Sequence, residues 1–187
     1  YRFRMLDGCN ARFLNMWLVD AADTTGLTPG PKITVIGSDG GLLDAPAILD
    51  PALGKTLTMA PGERYDVVID FTGIPEGTVF TLRNNANAPY PDGDPIIPGL
   101  NDRIMQFIVN GLMVSTDKSL VPANLRSSNP MVKLTDFAGN LTAGVTPAVK
   151  RQILLNEVSG VGGPVQVLFN NSVFDVEAPI PGAPLTF

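Results

Sequence analysis

Short runs in which apolar and polar residues alternate are the feature that most restricts the fold of this chain. In residues 1–5 every second residue is apolar and arginines stand between them, and in residues 65–71 aspartates occupy two of the three intervening positions. Successive side chains of a strand point to opposite faces of its sheet, so a period of two predicts half-buried strands. The same pattern predicts strands headed by Ile33 and at 79–82 and 104–109.

Turn-forming residues separate these runs. The 187 residues include 19 glycines and 17 prolines, and no segment keeps a 3.6-residue apolar period between helix-capping signals. Glycine and proline favour chain reversals and interrupt helices. Because 44% of the residues are hydrophobic and only 17% charged, the chain also has ample material for a packed core. We therefore expect an all-β, antiparallel sandwich with little helix.

The pattern changes after residue 109. Residues 112–147 contain scattered prolines and polar residues with little alternation, and one short helical turn is expected near 121–126. Unstructured connections of this length are uncommon inside a compact domain and usually mark a boundary. We expect one domain at 1–113 and a connector at 114–147.

Residues 148–187 are predicted to hold an incomplete hairpin of a further domain. Its strands are expected at 151–156 and 165–169, around a glycine-rich turn. Two strands alone are marginally stable in water, and their unpaired edges invite pairing. The 151–171 hairpin is therefore expected either to fold back on the sandwich or to pair with a second copy of the chain, and a homo-oligomer formed by strand exchange is the favoured alternative. Because the chain opens at Tyr1 inside a predicted strand, we expect it to be a piece of a longer polypeptide.

Composition excludes several kinds of function. The net charge of −5 disfavours a nucleic-acid surface, whose affinity comes largely from clustered lysine and arginine, and no apolar run is long enough to predict a membrane span. The chain contains no histidine, so its own side chains cannot build a blue-copper site, a histidine-ligated zinc site or a histidine-based triad. Cys9 is the single cysteine, which excludes an internal disulfide and predicts a small buried apolar residue.

Two motifs have the composition of structural turns. In the first, Gly-Ser-Asp-Gly-Gly-Leu-Leu, glycines permit positive φ and the aspartate can accept bonds from backbone amides. In the second, Ala-Pro-Gly-Glu-Arg-Tyr-Asp, a proline–glycine turn precedes three charged residues that can form a network. The alternatives are a phosphate-binding turn and a paired-carboxylate site, respectively. The turn residues are Gly37, Asp39, Gly40, Gly41, Pro61, Gly62, Glu63, Arg64 and Asp66.

These motifs together resemble a known protein family. Four motifs resemble, in the same order, the central domain of three-domain multicopper oxidases of the bacterial laccase, bilirubin oxidase and phenoxazinone synthase branch. They are the opening Tyr-Arg-Phe-Arg strand with its following turn, the "GSDGGLL" turn, the "APGER" hairpin and the "IMQF" strand at 104–107. The hairpin after the connector resembles the start of their third domain. The resemblance implies a cupredoxin-like Greek-key β-sandwich.

The resemblance also implies a role. In that family, copper ions are held by the first and third domains, and the central domain is a spacer without copper. The segment is therefore expected to bind no cofactor itself, with copper in the parent protein and the flanking first and third cupredoxin domains as its partners. The parent would oxidise phenolic or similar substrates by single electrons and reduce dioxygen to water.

The loop at 84–101 is the expected contribution to the substrate site. In laccase-like relatives the equivalent loop lies near the substrate entrance, so Asn87, Pro89 and Tyr90 are expected to form a substrate lip. Asp92 and Asp94 offer oxygen ligands for calcium, but acidic loops of this kind are more often merely solvated, which is the favoured interpretation.

The main alternative is a protein without enzymatic activity. Some relatives keep three cupredoxin domains without copper and serve as periplasmic interaction or division proteins. Localisation stays open between the periplasm, secretion, a spore or cell surface, and the cytoplasm.

Overall fold

The computed structural model describes residues 1–26, 28–111, 117–136 and 138–172. Within these residues the chain forms ten strands and one short 3-10 turn at Pro51–Leu53. The strands are β1 (Arg2–Leu6), β2 (Leu14–Asp20), β3 (Ile33–Ser38), β4 (Gly41–Leu49), β5 (Leu57–Met59), β6 (Arg64–Ile69), β7 (Val79–Asn84), β8 (Arg103–Ile108), β9 (Leu155–Gly160) and β10 (Gly163–Phe169).

Eight strands form two four-stranded antiparallel sheets. Sheet A has the order β1-β6-β3-β4, and sheet B has the order β5-β2-β7-β8. The chain crosses repeatedly between the sheets, so most neighbours in a sheet are distant in sequence, as in Greek-key sandwiches. The prediction of an all-β antiparallel sandwich is confirmed, and helix is scarce in the part of the chain that the structure describes.

The core lies between the two sheets. The alternation in β6 places Val67 and Ile69 in the centre, 0% and 2% exposed, with Phe71 packed at the border. Full burial of an aliphatic side chain of this size contributes about 1.5–3 kcal/mol. The core residues come from strands of both sheets: Met16, Leu18, Ile33, Val35, Leu57, Met59, Val67, Ile69, Phe80 and Leu82.

Neither β2 nor β4 shows an alternating pattern of apolar and polar residues, and β4 is also long. In β2 both Leu18 and Val19 are buried, because the loop after β2 folds back over the strand: Gly30 N–H donates to Leu18 O at 2.8 Å, and Val19 forms a bridge with Pro29. A strand covered on both faces reads as a continuous apolar run. The long β4 contains Pro46, which an edge strand tolerates because one side of its backbone is unpaired.

Part of the connector docks on the free edge of β4. Leu125 N–H donates to Asp44 O and Met131 N–H donates to Asp44 Oδ1, both at 2.8 Å. Residues 117–132 are called the strap below. The short helical turn predicted near 121–126 is wrong, because the Leu125 amide bonds to β4 instead of to a preceding turn of helix.

The chain divides into two compact units, residues 1–132 and 133–187. The division falls inside the stretch predicted as a connector, and the assignment of domains stays a prediction. The predicted boundary at residue 113 and residues 173–187 of the predicted hairpin domain lie outside the described residues. Among the described residues, no helix has the length and apolarity needed to cross a membrane.

The second unit contains the β9–β10 hairpin. The predicted first strand at 151–156 is placed too early, since β9 runs four residues later and turns at Val161 and Gly162. The register pairs Leu155 with Phe169 and Gly160 with Gly163. Apolar side chains of both strands are exposed, including Phe169 at 60%.

Candidate functional site

The first predicted turn motif is a two-residue hairpin between β3 and β4. Asp39 and Gly40 form the turn, and Gly41 has a φ of 101°, which L side chains rarely adopt. A Cβ at Gly37 would lie only 3.0 Å from Gly41 O, so the close approach of the strands favours glycine there. Asp39 Oδ1 accepts from Arg64 N–H at 3.0 Å and lies 2.8 Å from Arg64 Nε.

The second motif turns the chain between β5 and β6. Pro61 and Gly62 form the turn, where Gly62 has a φ of 83°. Gly62 N–H donates to Asp7 O at 2.8 Å, which ties the turn to the end of β1. Glu63 Oε2 accepts from Ala60 N–H at 2.7 Å.

The charged residues of the second motif each have a different partner. Glu63 bonds within its own turn, Arg64 pairs with Asp39, and Asp66 forms a two-pronged pair with Arg2 of β1. The hydrogen bond from Arg2 lowers the pKa of Asp66. Glu63, Arg64 and Asp66 thus bond to three separate partners instead of to one another, an arrangement that stabilises turns and strand pairing and does not form a paired-carboxylate site.

The described residues do not fit a copper ion. No group of three histidine, cysteine, aspartate or glutamate side chains comes together among them. Cys9 is half-buried and not fully buried as predicted, and hydrogen bonding to Asp7 together with burial raises the pKa of its thiol. Copper favours thiolate and imidazole ligands, and a raised pKa disfavours the thiolate form of Cys9.

The loop between β7 and β8 has a defined shape at its tip. Ala88 and Asp94 exchange two backbone hydrogen bonds of 2.9 and 3.0 Å, and Gly93 N–H donates to Pro89 O at 2.7 Å. The bonds that precede Pro89 and Pro91 are cis. A Cβ at Gly93 would lie 2.2 Å from Pro89 N, so no other residue fits that position without moving the backbone.

This loop displays the residues predicted as a substrate lip. Tyr90 stacks on Phe13 with ring centroids 4.7 Å apart and an interplanar angle of 11°, while remaining 40% exposed. Asn87 Nδ2 donates to Pro91 O at 3.0 Å, which places its amide beside the same turn. The structure thus brings Asn87, Pro89 and Tyr90 together on one loop. Their role in substrate contact stays a prediction.

Two buried polar residues at the base of the loop escaped the sequence analysis. Asn84, 1% exposed, accepts from Asn15 N–H and Ala86 N–H through Oδ1, at 2.9 and 3.1 Å, and donates to Asn101 O at 3.1 Å. Asp102, 2% exposed, follows the loop directly. Both residues stand where a strand meets a loop, which is the signal that could have identified them.

The groups that this loop displays at its tip suit non-covalent contact. It offers a stacked aromatic ring and an amide to a flat molecule. The described residues of the loop include no histidine or cysteine, the side chains that most often serve as base or nucleophile near neutral pH.

No protein-family model matches the chain. Individual relatives do match: it is 35% identical to a laccase of Bacillus subtilis (strain 168) over 127 residues, which are 68% of this chain and 21% of that protein. It is 36% identical to a bilirubin oxidase of Albifimbria verrucaria over 126 residues, 67% of this chain and 20% of that protein. Multicopper oxidase LPR2 of Arabidopsis thaliana is 34% identical over 67% of this chain and 19% of its own length.

Solved structures give the same result. The McoA multicopper oxidase 2F4 variant of Aquifex aeolicus is 30% identical over 71% of this chain and 25% of that chain, with a TM-score of 0.51. A laccase of Pediococcus acidilactici, 22% identical over 95% of this chain and 28% of its own, supports the fold alone with a TM-score of 0.53. The matched part of the chain therefore spans between 19% and 28% of the length of these relatives. In motifs, fold and sequence similarity, this chain belongs to the multicopper oxidase family.

Proposed function

We propose that this chain is the copper-free spacer segment of a laccase-like multicopper oxidase. The observation that carries the proposal is a histidine-free sandwich that matches a laccase and a bilirubin oxidase over about two thirds of its length. The parent protein removes single electrons from phenolic or similar substrates and reduces dioxygen to water. Its copper ions are held by other parts of the polypeptide, since the described residues here supply no suitable ligand set.

The sandwich holds the flanking first and third cupredoxin domains in their places. A rigid core suits this role, because a spacer that deforms would change the distances between the sites it separates. The ten core residues draw on both sheets, which supports such rigidity.

The loop with Asn87, Pro89 and Tyr90 forms one wall of the substrate cleft. Its shape is fixed by main-chain hydrogen bonds at the tip, and the ring of Tyr90 is held by Phe13. An aromatic side chain that is already immobilised loses little conformational entropy when a flat substrate stacks on it.

Copper binding by the isolated chain tests the spacer role. After dialysis against copper, we expect no intense visible band from a copper thiolate and no oxygen consumption above background with a phenolic substrate. The longer protein that contains this segment should show both. A visible band that tracks the concentration of the isolated chain would contradict the proposal.

The wall is tested in the longer oxidase with Tyr90→Ala. We expect a higher KM for a phenolic substrate and a smaller change in kcat, because the ring binds substrate but exchanges no electron with it. Leu53→Ala, at an exposed position far along the chain from the loop, is the matched control. An unchanged KM in Tyr90→Ala would remove the loop from the substrate site.

A further inference from the structure

One buried carboxylate connects the end of the loop to the strand on which the loop begins. Asp102 Oδ1 accepts from Gly99 N–H at 2.7 Å. Asp102 Oδ2 lies 3.1 Å from Nη2 of Arg83 in β7 and 3.7 Å from Nε of Arg103 in β8. Asp102 therefore contacts the loop, the strand before it and the strand after it.

The Asp102 carboxylate also lies beside two arginines whose charges repel each other. Arg83 and Arg103 are paired across β7 and β8, so their charges stand on the same face of the sheet. Like charges directly opposite each other destabilise a strand pair. The Asp102 carboxylate lies within ion-pair distance of both and offsets their repulsion.

Between its tip and its end the loop is held mainly by polar bonds: Asn101 Oδ1 accepts from Ile97 N–H at 2.7 Å, Asn84 Nδ2 donates to Asn101 O at 3.1 Å, and the Asp102 carboxylate adds the charged contact. The backbone bonds of Ala88 and Asp94 close the tip alone. Ile97 and Leu100 are 56% and 72% exposed, so apolar packing does little to hold this part. A charge-assisted bond from a buried carboxylate to a backbone amide is stronger than a neutral one.

We propose that Asp102 is a positioning residue that holds the substrate-facing loop in its shape through Gly99 and Arg83. The role of the loop toward substrate rests on the proposed function. The restraint itself rests only on the contacts of Asp102.

Hydrogen exchange of loop amides in this chain tests the restraint. Asp102→Asn keeps the size of the side chain and removes its charge. We expect the amides of Gly99, Ala88 and Asp94 to exchange at least tenfold faster, while the core amide of Leu18 is unchanged. Asp66→Asn, which removes a different aspartate–arginine pair, should leave the loop amides as they are.

Arg83→Gln is a milder second variant that removes one contact of the same carboxylate and keeps the Gly99 bond available. It should speed the hydrogen exchange of the same loop amides, with the same ranking among them, by a smaller factor. Loop exchange that is unchanged in both variants overturns the inference. If Asp102→Asn does not fold, Arg83→Gln decides by the same criterion.

Kinetics of the longer oxidase separate this inference from the proposed function. With Asp102→Asn we expect a several-fold higher KM for a phenolic substrate and a kcat close to that of the wild type. Faster loop exchange with an unchanged KM would leave Asp102 as the residue that positions the loop and would refute the substrate role of the loop instead.

Discussion

Replacing Asn84 by alanine should destabilise the first unit far more than the same change at the neighbouring Asn85. The Asn84 side chain makes three hydrogen bonds, one of them fully buried and two partly buried. A buried polar group that loses its partner costs about 1–3 kcal/mol, and partly buried groups cost less, so we expect a loss of about 2–6 kcal/mol.

Urea unfolding measures this loss of unfolding free energy. It is followed by the fluorescence of Trp17, the single tryptophan, which lies in the same unit as Asn84 and Asn85. With a slope of about 2 kcal/mol per molar urea, a loss of about 4 kcal/mol moves the midpoint down by about 2 M. Asn85→Ala removes one exposed bond from Asn15 Nδ2, so its midpoint should move by less than about 0.5 M. Equal midpoints for the two variants would refute the reasoning, because Asn84 is buried and makes three side-chain bonds whereas Asn85 is exposed and loses one.

Three further outcomes are expected. Arg2 lowers the pKa of Asp66 in the folded state, so the pair stabilises the protein above the unfolded pKa of about 4. This stabilisation is lost as the pH falls through the folded pKa. The difference in melting temperature between wild type and Asp66→Asn should therefore shrink in acid. Asp44→Ala should speed proteolysis of the strap, whereas Asp44→Asn keeps an oxygen for the Met131 amide and should not. Light scattering should show self-association through the hairpin that weakens in Phe169→Lys; a wild-type monomer at all micromolar concentrations would contradict strand exchange.

Sequence alternation locates a strand most directly where one face is buried and the other is solvated. This holds for β1 and β6, whose outer faces carry Arg2 and Asp66. It failed for β2, because Val19 on its outer face is covered by the loop around Pro29. Coverage of that kind is a tertiary event, and no local pattern contains it.

The candidate site was likewise predictable in part. The loop and its turn-forming residues were visible in the sequence, but the residues that hold it were not. Asn84 and Asn85 are adjacent and chemically identical, yet one is buried and the other exposed. The register of β7 decides which of them points into the protein, and register depends on strands that are distant in sequence.

A different local signal would have located the strand ends that alternation missed. Five strands are ended by an aspartate or asparagine whose side-chain Oδ1 accepts from the backbone amide two residues later. Such a bond gives a backbone amide a side-chain partner at the point where hydrogen bonding to the neighbouring strand stops. An apolar run followed by one of these residues therefore predicts the end of a strand, including β2 and β4, which alternation did not delimit. The residues are Asp7, Asp20, Asp50, Asp70 and Asn84.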